Sequence, residues 1–228
     1  MSAQDTWSAV DAYFSDRLLG DDAALQAALA ASRAAGLPDI QVSPTQGKFL
    51  MLLAQAVRAR RILEIGTLAG YSSICLARAL PEEGQLVTCE LNAKHAAVAR
   101  ANLEHAGLAS KVQLRVGPAL ETLSELIRMR HPPFDLVFID ADKPSNAAYF
   151  EAARKLSRIG TVIVTDNVVR EGDILDQDSS DATVLGVRRF IDRVAADPGV
   201  SATALQTVGD KGYDGFALAL VTQIDQDA

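Results

Sequence analysis

The chain has 228 residues, 49% hydrophobic and 22% charged, a composition that buries a sizeable core and excludes intrinsic disorder. Its 22 Lys plus Arg stand against 29 Asp plus Glu, a formal net charge of -7, which argues against general nucleic-acid binding because that needs a basic footprint. The opening "MSAQDTWSAV" has neither a basic n-region nor an apolar h-region, and no run approaches the roughly 18 apolar residues of a membrane helix, so a cytoplasmic protein without membrane association is expected.

The first sixty residues read as helices. "DTWSAVDAYFSDRLLG" spaces Trp7, Val10, Phe14 and Leu18 roughly along one face. A second, alanine-rich helix around residues 22–35 ends at Gly36, with Pro38 beyond. A third starts in "SPTQGKFLMLLAQAVRA", where Ser43 is the cap and Pro44 sits in the first turn. Its Phe49, Leu50, Leu53 and Val57 form an apolar stripe. These helices are candidates to cover a ligand site or to make a subunit contact.

From residue 61 strands alternate with helices. "RILEIG", "QLVTCE", "KVQLRV", "FDLVFIDA" and "GTVIVTDN" read as five strands, each of the first four followed by a helical segment. That spacing implies right-handed parallel crossovers, and helices on both faces explain the near-continuous apolar runs. The tail differs: a helix at about 182–196 precedes "SATALQTVG", and "GYDG" leads into "FALALV", an antiparallel addition to the sheet edge. Cys75 and Cys89 lie in apolar runs and read as reduced core residues.

Ligands of open α/β sheets bind beyond the strand carboxyl ends. The first strand ends in "LEIGTLAGYSS", whose G-x-x-x-G spacing is not the G-x-G-x-x-G dinucleotide fingerprint. Gly66 and Gly70 allow a tight turn, Glu64 opposes a phosphate and suits an ammonium or a loop clamp, and Ser72 and Ser73 are polar contacts or caps. Glu90, at the end of the second strand, suits ribose hydroxyls; an ordinary solvated strand-end acid is the alternative. Gly117 and Ala119 in "VGPAL" mark either an adenine-side contact or a plain strand-to-helix turn.

"FIDADKPSNAAYF" places Asp140, Asp142 and Lys143 past the fourth strand, and "VIVTDNVV" places Asp166 and Asn167 past the fifth. If the two strands are neighbours, Asp140, Asp166 and Asn167 offer three oxygen ligands to a hard cation such as Mg²⁺; loop solvation and helix capping are the alternative. Lys143 is either a general base or a counter-charge to the acids. His95, His105 and His131 fall outside this set and read as surface or turn residues.

Together "VSPTQGKFL", "ILEIGTLAGYSS", the strand ending in Glu90, "VGPAL", "FDLVFIDADK" with Tyr149 following, and "VIVTDN" resemble the class I cation-dependent O-methyltransferases that act on catechols and caffeoyl-CoA. The resemblance covers about residues 5–222. It implies a doubly wound seven-stranded mixed sheet of order 3-2-1-4-5-7-6 with N-terminal helices, the methyltransferase fold that uses S-adenosyl-L-methionine. One methyltransferase domain over residues 1–228, with a helical extension over 1–59, is expected. By the same resemblance Val42, Glu64, Gly66, Ser72, Glu90, Ala119 and Asp140 contact S-adenosyl-L-methionine. Asp140, Asp166 and Asn167 hold Mg²⁺ (or Mn²⁺ or Ca²⁺), Lys143 removes a phenolic proton, and a homodimer is implied. The acceptor expected is a small vicinal diphenol. A non-catechol acceptor and, from another class, an NAD(P)-dependent oxidoreductase are the alternatives. The chain departs from the pattern in "VVREGDILDQDSSD", which lacks a Trp after the Asn, and in "VGDKGYDGFALAL". Arg170, Lys211 and Tyr213 therefore become candidate acceptor contacts.

Overall fold

The computed structural model describes residues 1–224; residues 225–228, the end of the expected domain, lie outside the described residues. Three helices lead: α1 (Ala3–Leu18), α2 (Ala23–Ala34) and α3 (Pro44–Ala56). Then β1 (Arg61–Ile65), α4 (Tyr71–Ala79), β2 (Gln85–Glu90), α5 (Ala93–His105), β3 (Val112–Val116) and α6 (Ala119–Arg128) alternate. The pattern continues with β4 (Phe134–Ile139), α7 (Asn146–Lys155) and β5 (Ser157–Asp166), and closes with α8 (Ala182–Ala195), β6 (Val200–Gly209) and β7 (Gly212–Val221).

The seven strands form one sheet of order β3-β2-β1-β4-β5-β7-β6. β1 to β5 pair in parallel, and β7 joins β5 antiparallel, as the sequence led one to expect. The order reverses between β1 and β4, the switch point beyond which ligands bind in such sheets. Alternating strand residues feed two cores. Leu63, Ile65, Val137, Ile139 and Ile163 face α6, α7 and α8, while Ile62, Leu136, Phe138, Val162 and Val164 face α3 and α4. Burying an aliphatic or phenylalanine side chain of this size contributes about 1.5–3 kcal/mol, so the two-sided burial explains why the strands read as unbroken apolar runs.

Local chemistry sets the helix starts. Ser43 Oγ accepts from the Gln46 amide at 3.2 Å, and Pro44 occupies the first turn of α3, as expected. Asp22 caps α2 and pairs with Arg78 of α4, tying the leading helices to the sheet's helical layer. The stripe read in α1 behaves differently. No residue of α1 is buried, and Val10, Phe14 and Leu18 are exposed. What holds α1 is polar: Asp11 Oδ2 accepts from the Asp210 amide at 2.8 Å, and Gln4 Nε2 donates to the Gly209 carbonyl at 3.0 Å. α1 is thus strapped to the β6–β7 turn above the sheet's carboxyl ends.

The tail turn also differs from expectation. "GYDG" belongs to β7, and the reversal is made by Asp210 and Lys211, with Gly209 opposite Gly212. Gly215 is there for close approach: a Cβ on it would lie 2.2 Å from the Leu205 carbonyl oxygen.

Candidate active site

The β1–α4 turn is built on a buried acid. Glu64 is fully buried, and the hydroxyls of Ser72 (2.6 Å), Thr88 (2.6 Å) and Ser73 all donate to it. Of the two local roles open to Glu64, the structure displays the clamp: it pins the start of α4 against β2. Burial pushes its carboxyl up to about 7 despite those donors. Gly66 follows with φ +105, and a Cβ there would lie 2.0 Å from the Asp140 carbonyl oxygen. Its glycine is therefore needed to let the ends of β1 and β4 meet, and the Asp140 amide donates to the Ile65 carbonyl at 2.8 Å.

A pH consequence follows from Glu64. A carboxyl whose folded pKa lies above its unfolded value stabilises the fold while protonated. Its contribution is present below about pH 4.5 and is lost as pH rises through about 7. The interval corresponds to on the order of 3 kcal/mol at 1.36 kcal/mol per pKa unit. Glu64→Gln, which keeps the shape and removes the charge, is expected to make the stability of chelator-treated, cofactor-free protein fall less steeply between pH 4.5 and 7, the remaining slope belonging to Asp166. Parallel wild-type and variant denaturation curves across that window would remove Glu64 as the cause.

Glu90 ends β2 and is 8% exposed. Its Oε2 accepts from the Leu68 amide at 2.8 Å and its Oε1 from the Asn92 amide at 2.9 Å. Each carboxylate oxygen has a second lone pair, so both oxygens retain capacity for a hydroxyl donor. The Gly117 amide donates to the Glu90 carbonyl at 2.9 Å, bringing the Gly117–Ala119 turn beside this acid. His95, read from sequence as a surface residue, places Nδ1 3.5 Å from Glu90 Oε1 with its side chain 21% exposed. Its only sequence signal is its place in the first turn of the helix after Glu90.

Val42 is buried in the α3–α4 core. Cys75 and Cys89 are buried free thiols, and burial pushes both up to about 12, which matches their reading as inert core residues.

The acids of β4 and β5 converge because the strands are neighbours, with Ile139 opposite Thr165. Lys143 Nζ donates to Asp140 Oδ1 at 2.9 Å, and the lysine is 8% exposed. Burial, and then the negative charge of Asp140, push Asp166 well above the usual carboxylate range. Asn167 takes a left-handed φ of +57, a conformation Asn tolerates, and its amide N–H donates to Asp166 Oδ1 at 2.8 Å. Its side chain makes no hydrogen bond among the described residues and lines the cleft beside Asp166. Gln46, inside "VSPTQGKFL" but not singled out from sequence, donates from Nε2 to Asp166 Oδ2 at 2.7 Å. Tyr149 donates its hydroxyl to Asp142 at 2.5 Å, which fixes the loop that carries Lys143. Among the described residues no three His, Cys, Asp or Glu side chains group to hold a metal ion; this cluster is two carboxylates and an amide.

The cleft that Gln46, Asp166 and Asn167 line has a volume of about 450 Å³, and Phe49, Phe216 and Tyr213 are the aromatic residues in its otherwise largely polar wall. Arg170 and Lys211 also line it. Arg170 lies 3.7 Å from Asp214, Lys211 donates to the Asp39 carbonyl at 3.0 Å, and Tyr213 donates its hydroxyl to Gln206.

Comparison with known proteins agrees with this architecture. An O-methyltransferase family model matches residues 21–220. The catechol O-methyltransferase of Mycobacterium tuberculosis is 58% identical over 212 residues, 93% of this chain and 94% of that protein. The structure of an O-methyltransferase from Bacillus cereus in complex with SAH superposes with a TM-score of 0.95 at 56% identity, covering 96% of this chain and 100% of that one. TomG from Streptomyces achromogenes, an O-methyltransferase involved in tomaymycin synthesis and solved with SAM, gives 0.95 at 53% identity, covering 98% and 100%. No helix among the described residues is long and apolar enough to cross a membrane. The oxidoreductase alternative falls away, and the chain belongs to the class I, S-adenosyl-L-methionine-dependent O-methyltransferase family of the catechol and caffeoyl-CoA type.

Proposed function

We propose that the protein transfers the methyl group of S-adenosyl-L-methionine to one hydroxyl of a small vicinal diphenol held by a divalent cation. The observation that carries this reading is that Asp140, Lys143, Asp166 and Asn167 stand at adjacent strand ends, beside a cleft whose lining includes Phe49, Phe216 and Tyr213. The Mycobacterium tuberculosis relative is a catechol O-methyltransferase, which supports the acceptor class, and the SAM- and SAH-bound relatives support the donor.

The residues present fit a cation. Asp140 raises the cost of ionising buried Asp166, a cost that positive charge relieves, and Asn167 adds a free amide oxygen. Three hard oxygen donors suit Mg²⁺, Mn²⁺ or Ca²⁺. Such an ion supplies chelation of two adjacent oxygens and acidification of one of them. Asp140, Asp166 and Asn167 would hold that charge, Gln46 orients Asp166, and Lys143, as the neutral amine, takes the phenolic proton and becomes the ammonium that Asp140 balances. Phe49, Phe216 and Tyr213 flank the acceptor ring and Arg170 and Lys211 meet its substituents. The donor lies along the ends of β1 and β2, with Val42, Glu64, Gly66, Ser72 and Asp140 on the methionine side, Glu90 on the ribose and Ala119 on the adenine. Production of S-adenosyl-L-homocysteine from a panel of diphenols and matched monophenols, with and without Mg²⁺, tests the reading. Equal turnover of both sets, or indifference to chelator, overturns chelation and returns the non-catechol alternative.

Glu90→Ala is expected to weaken S-adenosyl-L-methionine binding about tenfold or more, since a hydrogen bond to a charged group contributes about 1.5–3 kcal/mol. Unchanged affinity in titration calorimetry would take Glu90 out of this role.

A cytoplasmic homodimer completes the proposal. Both cysteines are free, as a reducing compartment keeps them. Val10, Phe14 and Leu18 of α1 are exposed, as are Leu205 and Val208 of the adjoining edge strand β6, and α1 is bonded to the turn that ends β6. An open edge strand beside an apolar stripe is what a second copy covers. Sedimentation is expected to give twice the 24.2 kDa chain mass; a monomer at all concentrations would defeat the assembly.

A further inference from the structure

The inward stripe of α7 contains one residue that does not belong in an apolar core. Its buried positions are Asn146, Tyr149, Phe150 and Ala153, at the spacing of a single helical face. The last three pack in the core between the sheet and α6–α8. Asn146 has no exposure, and neither its Nδ2 nor its Oδ1 has a hydrogen-bond partner. Burying an amide without partners costs several kcal/mol in an apolar medium, so a residue kept in this state calls for a ligand.

The sheet supplies a second such atom on the same side. Thr165 of β5 is 1% exposed, and its Oγ1 also lacks a partner. Thr165 pairs with Ile139 of β4 and Ala217 of β7, and both of those neighbours belong to the α6–α8 core. Its side chain therefore projects to the face that α7 covers, while the next residue, Asp166, projects to the opposite face, where Gln46 meets it. Both residues also share a level. Asn146 opens the helix that leaves the end of β4, and Thr165 is the penultimate residue of β5. The amide and the hydroxyl thus lie on the same face of the sheet, at the level of the carboxyl ends of β4 and β5 below the Asp140–Lys143 turn. The turn has little room to shift, because α8 sits directly on it: a Cβ on Gly186 would lie 2.3 Å from the Lys143 carbonyl oxygen.

We propose that Asn146 and Thr165 form a binding site for one ordered internal water, which ties the start of α7 to β5 and so holds the turn carrying Asp140 and Lys143. A water suits the site because it donates and accepts at once, as an amide with two free ends and a hydroxyl require. Asn146 and Thr165 are positioning residues. The water itself stands on burial and topology, and its effect on catalysis rests on the reading of Lys143 given above.

The decisive variant is Thr165→Val, which removes the hydroxyl at nearly constant volume. In a dry site this deletes an unsatisfied polar atom, and the melting temperature holds or rises. With the water bridge it removes a partner, and the melting temperature falls by about 2–4 °C. Thr165→Ser keeps the hydroxyl and is expected to retain most of the single-turnover methyl-transfer rate, which drops about tenfold in Thr165→Val with S-adenosyl-L-methionine affinity unchanged. Asn146→Ala and Thr165→Val are expected to be strongly non-additive, since either one releases the same water. A melting temperature that holds or rises in Thr165→Val, or additive effects of the pair, overturns the water site and leaves the assignment of Lys143 standing. Coupled stabilities with wild-type rates in Thr165→Val overturn its positioning role.

Discussion

Asp166→Asn is expected to lower methyl transfer by about 100-fold or more while making the metal-free protein no less stable at pH 8. The two effects have opposite signs for one reason. Asp166 is a buried carboxylate at the end of β5, and burial together with the charge of Asp140 opposes its ionisation. In chelator-treated protein at pH 8 that charge is a burden on the fold, and the amide removes it. The shape is conserved: the Asn oxygen keeps the bond from the Asn167 amide, now made to Asp166 Oδ1 at 2.8 Å, and its NH2 donates to Gln46 once that amide, 2.7 Å from Asp166 Oδ2, flips to present its oxygen. For a cation the same exchange removes a charged ligand. Loss of partners that merely orient ligands already costs about 10–100-fold in affinity or activity, so loss of a ligand is placed at or above that range. The measurements are single-turnover rates at graded Mg²⁺ and thermal unfolding in chelator. Wild-type metal dependence in the variant would remove Asp166 from the cation site. A marked fall in metal-free stability would mean that the bonds from Gln46 and the Asn167 amide hold the carboxylate in its charged form.

The parts of this site legible in the sequence were those carried by short-range pattern. "QLVTCE" coincides with β2 from Gln85 to Glu90, because it is bounded by a turn on one side and a capping Asn on the other. Asp140 and Asp166 come together from the strand pattern if β4 and β5 are neighbours, and they are. β5 begins at Ser157, three residues before its expected start, since Arg158–Gly160 is exposed, offers one isolated apolar residue in Ile159, and the pairing with β4 shifts register between Phe134 and Leu136. "GYDG" imitates a turn, yet Gly215 is needed for close packing of two strands. Gln46 was not legible because its partner lies 120 residues away, and only the packing of α3 over β5 joins them. His95 is not legible because its contact with Glu90 depends on the rotation of α5, which the apolar pattern of that helix does not specify. In each miss the deciding contact crosses between elements whose relative placement local pattern leaves open.

Lys143→Ala is expected to slow methyl transfer by about 10²–10⁴-fold, the range of general acid–base catalysis, with S-adenosyl-L-methionine affinity unchanged. The lysine is 8% exposed, its Nζ sits 2.9 Å from Asp140 Oδ1, and the loop that carries it is fixed by Tyr149 on Asp142 and by α8 against the Lys143 backbone. Such a fixed position is what a proton acceptor needs, because general-base efficiency depends on geometry before pKa. The bond to Asp140 also gives Lys143 an electrostatic role, that of a counter-charge to the two acids. Removing it lowers the positive charge near Asp140 and Asp166, which should tighten cation binding. A base and a counter-charge therefore predict different patterns. If Lys143 takes the proton, the rate deficit of Lys143→Ala shrinks steadily as the diphenol becomes more acidic, because an acceptor already ionised needs no base. If it only balances charge, the deficit is the same for every diphenol and is recovered by changing the metal concentration. Single-turnover rates over diphenols of graded acidity, at saturating Mg²⁺ and S-adenosyl-L-methionine, distinguish the two. Wild-type rates across the whole series would exclude Lys143 from the chemistry altogether.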